Sequence, residues 1–233
     1  MEYRRFGQTH LHLSAIGLGG LLTRYEAHNG HPPPEEKRRI YLRAEELGIN
    51  LFDLGYGDEV YVPDELKGPK DDRYFSLKAG APAAAAVEDL VDKHLTNIRR
   101  EAIDILRVHH YAYLQNEGLA EQIAALKDKG KVRALCTIRH MLADQQAYAA
   151  RGPEEGADAD LVIYNYVCRW QAPGIERSAR TGKGVLIMKA LGGQWLNWAD
   201  QAQADWAAAD AEQVIELAPK GEGLRPELPL IYP

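Results

Sequence analysis

Ile103-Asp104-Ile105-Leu106-Arg107-Val108-His109 is a short apolar run broken by single charges, and Val132-Arg133-Ala134-Leu135-Cys136 is another. Between them Leu119, Ile123 and Leu126 recur at helical spacing, and Gly130 stands just past that stretch, where a helix C-terminus favours glycine. A strand, an intervening helix and a second strand make a βαβ unit, whose two strands lie parallel in one sheet.

The same alternation extends in both directions. Upstream, Ala15–Gly20 forms a first apolar run. A helix-like stretch from about Glu35 to Leu47, with Ile40, Ala44 and Leu47 on one face, leads into a second run, Ile49–Asp53. Tyr74–Lys78 is the third, followed by Val87, Leu90, Val91, Leu95 and Ile98 at the three-to-four spacing of an amphipathic helix. Downstream come Leu161–Tyr164 and Gly184–Met188, then an Ala-rich stretch from about Asn197 to Ala218 that reads as helix. Leu228–Tyr232 reads as an eighth strand. Seven or eight such units suit an α/β fold of the (β/α)8 TIM-barrel type better than an open sheet. That fold takes roughly 200–250 residues, so a chain of this length is a minimal barrel. No linker rich in Pro, Gly or Ser divides it, and residues 1–233 read as a single domain.

Composition narrows the function. Hydrophobic residues make up 45% and charged residues 27% of the chain, which supports a core and excludes a disordered chain. With 28 Lys and Arg against 34 Asp and Glu the net charge is −6, which argues against a basic face for nucleic acid. No apolar run approaches the ~20 residues of a membrane span. Met1–Arg5 is followed by no apolar run, so no secretory signal is expected. Cys136 and Cys168 lie far apart and form no CxxC pair, in keeping with a reducing, cytoplasmic compartment. A catalytic metal is not expected. His10 and His12 precede the first run and lie at the opposite rim, and the adjacent His109 and His110 point to opposite faces.

In a barrel of this type the chemistry sits at the C-terminal ends of the strands. Asp53, Lys78, His109 and Asn165 end successive runs, and Tyr56 lies just beyond Asp53. A lysine ammonium beside a tyrosine favours the phenolate and lowers a pKa ordinarily near ~10. A carboxylate close to the lysine holds it charged and oriented, so the tyrosine can exchange a proton near neutral pH. A neutral histidine can donate a hydrogen bond to a substrate carbonyl. Alone, each residue has an ordinary role: Asp53 as a helix cap, Lys78 as a solvated charge, one of the two histidines as a satisfied core side chain. Their convergence on successive strand ends points to reduction of a carbonyl, or the reverse oxidation. Arg139 and Lys189 are candidates for holding an anion at the same rim.

At these residues the sequence resembles the aldo-keto reductase superfamily. Met1–Gly7 with Leu13–Gly20 looks like its N-terminal hairpin and first strand, Gly48–Asp53 its second strand and Ser76–Gly80 its third. Ile103–Leu106 running to His109, Gly130–Ala134, Tyr164-Asn165 and Gly184–Gly193 continue the pattern, and the Met-Lys-Ala-Leu-Gly-Gly segment is similar to that of bacterial members. The resemblance covers roughly residues 1–195. It implies a barrel, a small-molecule carbonyl or alcohol substrate, NADP(H), and a catalytic set carried by Asp53, Tyr56, Lys78 and His109. It places the cofactor against Gly20, Asn165, Met188, Lys189, Leu191 and Gly192.

The chain also departs from the family pattern. Tyr56 follows Asp53 by three positions where the family has five, with Tyr61 as a substitute. Ile138-Arg139 replaces the Ser-Asn pair that holds the nicotinamide amide, Leu161 replaces a glutamine, and Met188 stands at an aromatic position. The last loop and helix, which hold the adenosine phosphate, are expected to be missing. These departures leave two further readings: a redox-neutral enzyme on the same barrel, such as a lyase, dehydratase, isomerase or cyclase, and a non-catalytic binding protein or subunit.

Overall fold

A computed structural model describes residues 1–20, 32–56, 60–165 and 168–190, Tyr56 by its backbone. Strands β1 (Tyr3–Arg5) and β2 (His12–Ser14) pair antiparallel as a hairpin. Six further strands follow: β3 (Leu51–Tyr56), β4 (Tyr74–Gly80), β5 (Ile103–His109), β6 (Val132–Arg139), β7 (Ala159–Ile163) and β8 (Gly184–Met188). They form one parallel sheet in sequence order, curled into a half-barrel. The helices are α1 (Pro34–Glu46), α2 (Ala84–Ile98), α3 (His110–Gln115), α4 (Leu119–Asp128), α5 (Leu142–Arg151) and α6 (Ala172–Thr181).

Most elements fall where the apolar periodicity predicts them. The first run is different. Within Ala15–Gly20 only Leu18 reaches the sheet, as a single parallel bridge to Phe52. Its N–H donates to the Leu51 carbonyl at 2.9 Å, and its own carbonyl accepts from the Asp53 N–H at 2.8 Å. Gly17, Gly19 and Gly20 flank it, and glycine offers a strand no side chain to pack. The Ala-rich stretch and the expected eighth strand lie outside the described residues. Among the described residues no helix is long and apolar enough to cross a membrane.

Strand alternation divides the apolar residues into two cores. Leu51, Tyr74, Ile105, Cys136, Ile138 and Leu161 fill the concave side, with Leu186 and Met188 packed beside them. Phe6, Leu11 and Leu13 of the hairpin belong to the same cluster and close the end at which the strands begin. Phe52, Phe75, Leu77, Leu106, Val108 and Leu135 face the other way, against Val87, Val91, Ile98, Leu119 and Ile123 of the helices. The hairpin docks closely: a Cβ on Gly184 would lie 2.6 Å from Phe6 Cε2, so only glycine fits at the start of β8.

Candidate functional site

The C-terminal ends of the strands carry the polar residues of the concave side. Because Tyr74 and Ile105 face the concave core, alternation brings Lys78 on β4 and both Arg107 and His109 on β5 to that side. Asp53 ends the inward row of β3. Its Oδ1 accepts from the Gly55 N–H at 2.8 Å and meets Arg107 Nη2 in an ion pair. The sequence expectation set Asp53 beside Lys78; the structure adds Arg107 as a partner of that carboxylate. Arg107, 5% exposed, stands two residues before His109 on the same face and directs its guanidinium to the carboxylate. The signal was the one cation inside a strand that is apolar apart from Asp104 and the terminal His109.

The short spacing from Asp53 to Tyr56 is absorbed in the backbone. Asp53 pairs with Ser76 and Tyr56 with Lys78, so three steps on β3 match two on β4. The bulge falls at Gly55, whose φ of 83° a side chain would resist. The Tyr56 backbone thereby stands opposite Lys78. Tyr61 is placed elsewhere. Its ring packs edge-on against Tyr41 on the helix side of the sheet, and its hydroxyl donates to the Pro34 carbonyl at 3.4 Å.

His109 is half-buried and stacks on Tyr111, ring centroids 5.4 Å apart. Burial and then the facing Lys78 ammonium hold its imidazole below the ordinary histidine range, against an opposing pull from Asp144. A second imidazole shares this mouth. His140 follows β6, two residues beyond the inward-facing Ile138. Burial, then Lys189, Lys78 and His109, push it down to about 4. Sequence reasoning stopped at Arg139, one position short of it.

Arg139 itself is not at the mouth. It is 1% exposed and lies on the convex side, where Nε donates to Asp160 Oδ1 at 2.6 Å and the guanidinium covers the Tyr148 ring at 5.4 Å. Ile138 points inward, so its neighbour must point outward. The rim-anion role expected for Arg139 is therefore excluded.

No family model matches the sequence. The Bacillus subtilis protein YqkF, an uncharacterised oxidoreductase, is 27% identical over 152 residues, covering 57% of this chain and 47% of that one. The chain thus spans about half the length of the curated relative it matches. Among solved structures, an aldo-keto reductase assigned in Pseudomonas aeruginosa superposes with a TM-score of 0.63 at 24% identity, over 80% of this chain and 77% of that one. Aldo-keto reductase AKR11C1 of Bacillus halodurans in its apo form superposes with a TM-score of 0.66 at 18% identity, over 94% and 77%. The fold is that of the aldo-keto reductase superfamily.

Of the described positions expected to meet a nicotinamide cofactor, Asn165, Met188 and Gly20 make close contacts within the protein. Asn165 Oδ1 accepts from the Cys168 N–H at 2.8 Å and its Nδ2 donates to the Lys189 carbonyl at 3.0 Å, tying the end of β7 to that of β8. Lys189 holds a left-handed φ of 55° at this junction. Met188 packs against the concave core. Gly20 lies so close to β3 that a Cβ would meet Gly55 Cα at 2.7 Å. Leu191 and Gly192 lie outside the described residues. At the amide-holding positions, Ile138 and Leu161 are buried in the concave apolar cluster and Arg139 faces away. These three side chains do not fit a carboxamide, which needs donors and acceptors at hydrogen-bonding distance.

Proposed function

We propose that this chain is an aldo-keto reductase-like oxidoreductase acting on a carbonyl or alcohol of a small organic molecule. The observation that carries the reading is the His109 imidazole, held below its ordinary range by burial and by the facing Lys78 at the mouth of this barrel. A neutral imidazole donates an N–H to a carbonyl oxygen and stabilises the charge that grows there. Tyr56 is the proposed proton donor, its backbone standing opposite Lys78, and a lysine ammonium close to a tyrosine favours the phenolate. Asp53, joined to Arg107, ties the rim of β3 to β5 and so holds the Tyr56 bulge in register. The family's hydride donor is NADP(H), for which Ile138, Arg139 and Leu161 provide no carboxamide contacts; the reading rests on the acid–base groups.

The test is a panel of aldehydes and ketones incubated with NADPH, followed by cofactor absorbance. Cofactor-dependent turnover that falls about a hundredfold or more in His109→Gln and Lys78→Met is expected. No binding and no turnover at millimolar NADPH would overturn the reading. A second reading, a redox-neutral enzyme on the same barrel, is favoured by the apolar Ile138 and Leu161 and the outward Arg139. Substrate conversion without any nucleotide, again lost in His109→Gln, would establish it in place of the first.

A further inference from the structure

His110 follows His109 and has no part in the proposed chemistry, yet it is among the most firmly held side chains of the molecule. It opens α3 and is 4% exposed. Its Nδ1 lies 2.9 Å from Asp144 Oδ1 in the first turn of α5. Its Nε2 lies 3.1 Å from Glu154 Oε2 in the segment between α5 and β7. An ionised carboxylate only accepts, so with both ionised the ring donates from both nitrogens. Two bonds at opposite ends of one ring fix its plane and its position.

The neighbouring His109 lacks such a hold of its own. It is the last residue of β5 and the N-cap of α3, at φ −62° and ψ 136°, so the chain changes from strand to helix at that residue. Its Nδ1 is buried and has no hydrogen-bond partner among the described residues. Its ring contact is with Tyr111, which is 36% exposed. Imidazoles that must keep one orientation ordinarily donate their second N–H to a carboxylate or carbonyl. Without that bond, the His109 ring is directed by its backbone and its stack on Tyr111, and the next residue adjoins that backbone.

We propose that His110, clamped between Asp144 and Glu154, is the positioning residue that aims the His109 imidazole into the barrel mouth. What His109 does there rests on the carbonyl-chemistry reading; where it points does not. Stability alone does not call for this arrangement, because well-packed apolar side chains of similar volume often stabilise as well as a buried polar set. Asp144 also faces His109 and raises its proton affinity, so the clamp bears on the charge as well as the direction of the neighbouring ring.

The experiment compares His110→Ala, Glu154→Ala and Glu154→Gln by histidine side-chain NMR and by steady-state kinetics. Glu154 is the partly exposed partner, so its variants test the clamp even if His110→Ala fails to fold. In Glu154→Ala the His109 ring signals should shift and its contacts with Tyr111 weaken. The value of kcat should fall about tenfold while KM stays within about threefold. Glu154→Gln keeps an acceptor oxygen and should recover most of both. Unchanged His109 signals in Glu154→Ala and in folded His110→Ala, with only a lower melting temperature, would overturn the inference. If the unmodified protein shows no carbonyl turnover, the functional reading fails, while the His109 ring signals still decide this one.

Discussion

Lys78 acts on two imidazoles. It faces His109 and His140 from β4, and both are held below the ordinary histidine range, burial being the larger cause in each. For His140 the ordinary value of 6.5 falls to about 4, which ties protonation to stability. The unfolded chain binds a proton below about 6.5 that the folded protein refuses until about 4. The contribution of His140 to stability is therefore complete above about pH 6.5 and is lost as pH falls toward 4. Buried Asp104 and Asp160, both shifted upward by desolvation, act in the opposite sense, so the difference between two proteins is the useful readout. Denaturant unfolding at pH 7 and pH 4.5 should show His140→Gln losing less stability than the unmodified chain. Parallel losses in the two proteins would contradict the assignment. Lys78 and His109 were legible because each ends an apolar run. His140 was not, because it follows an arginine whose own direction only strand alternation reveals.

The hairpin illustrates what a whole element contributes. Strand β1 is exposed along its length, yet the turn residues Phe6 and Leu11, with Leu13 of β2, close one end of the concave core. Phe6→Ala should cost about 3–5 kcal/mol as a large-to-small core substitution. Gly184→Ala should cost about 1–3 kcal/mol, because its new methyl collides with the Phe6 ring. Combining them removes the collision, so the Gly184→Ala penalty should shrink in the Phe6→Ala background by about 1 kcal/mol or more. Urea unfolding of the four proteins measures this coupling, and strict additivity would show that the hairpin and β8 do not meet as described. Apolar spacing located β5 and β8 with their full bounds. The first run misled because its composition is strand-like while its three glycines leave only Leu18 to pair.

Over the described residues as a whole, the six parallel strands share a gradient of protection. Strands β5 and β6 lie in the middle of the sheet and are covered on both faces, whereas β1 is open to solvent. Amides that exchange only through global opening should therefore cluster in β5 and β6, with those of β1 exchanging through local opening. Hydrogen exchange followed by mass spectrometry reads this directly; equal protection in the hairpin would place it in the same cooperative unit. Arg107 and His109 are mounted on β5, one of these central strands.

Periodicity along the chain was enough to establish a parallel α/β architecture and to bring Asp53, Lys78 and His109 to one rim. Both follow from local rules, since alternation and helical spacing need only near neighbours in sequence. Which groups meet across that rim was settled in three dimensions. Asp53 is bound to Arg107, Arg139 turns away to Asp160, and His110 is gripped by Asp144 and Glu154. These partners lie between 21 and 54 positions apart in the chain. Their encounters depend on sheet register and curvature, which no local pattern encodes.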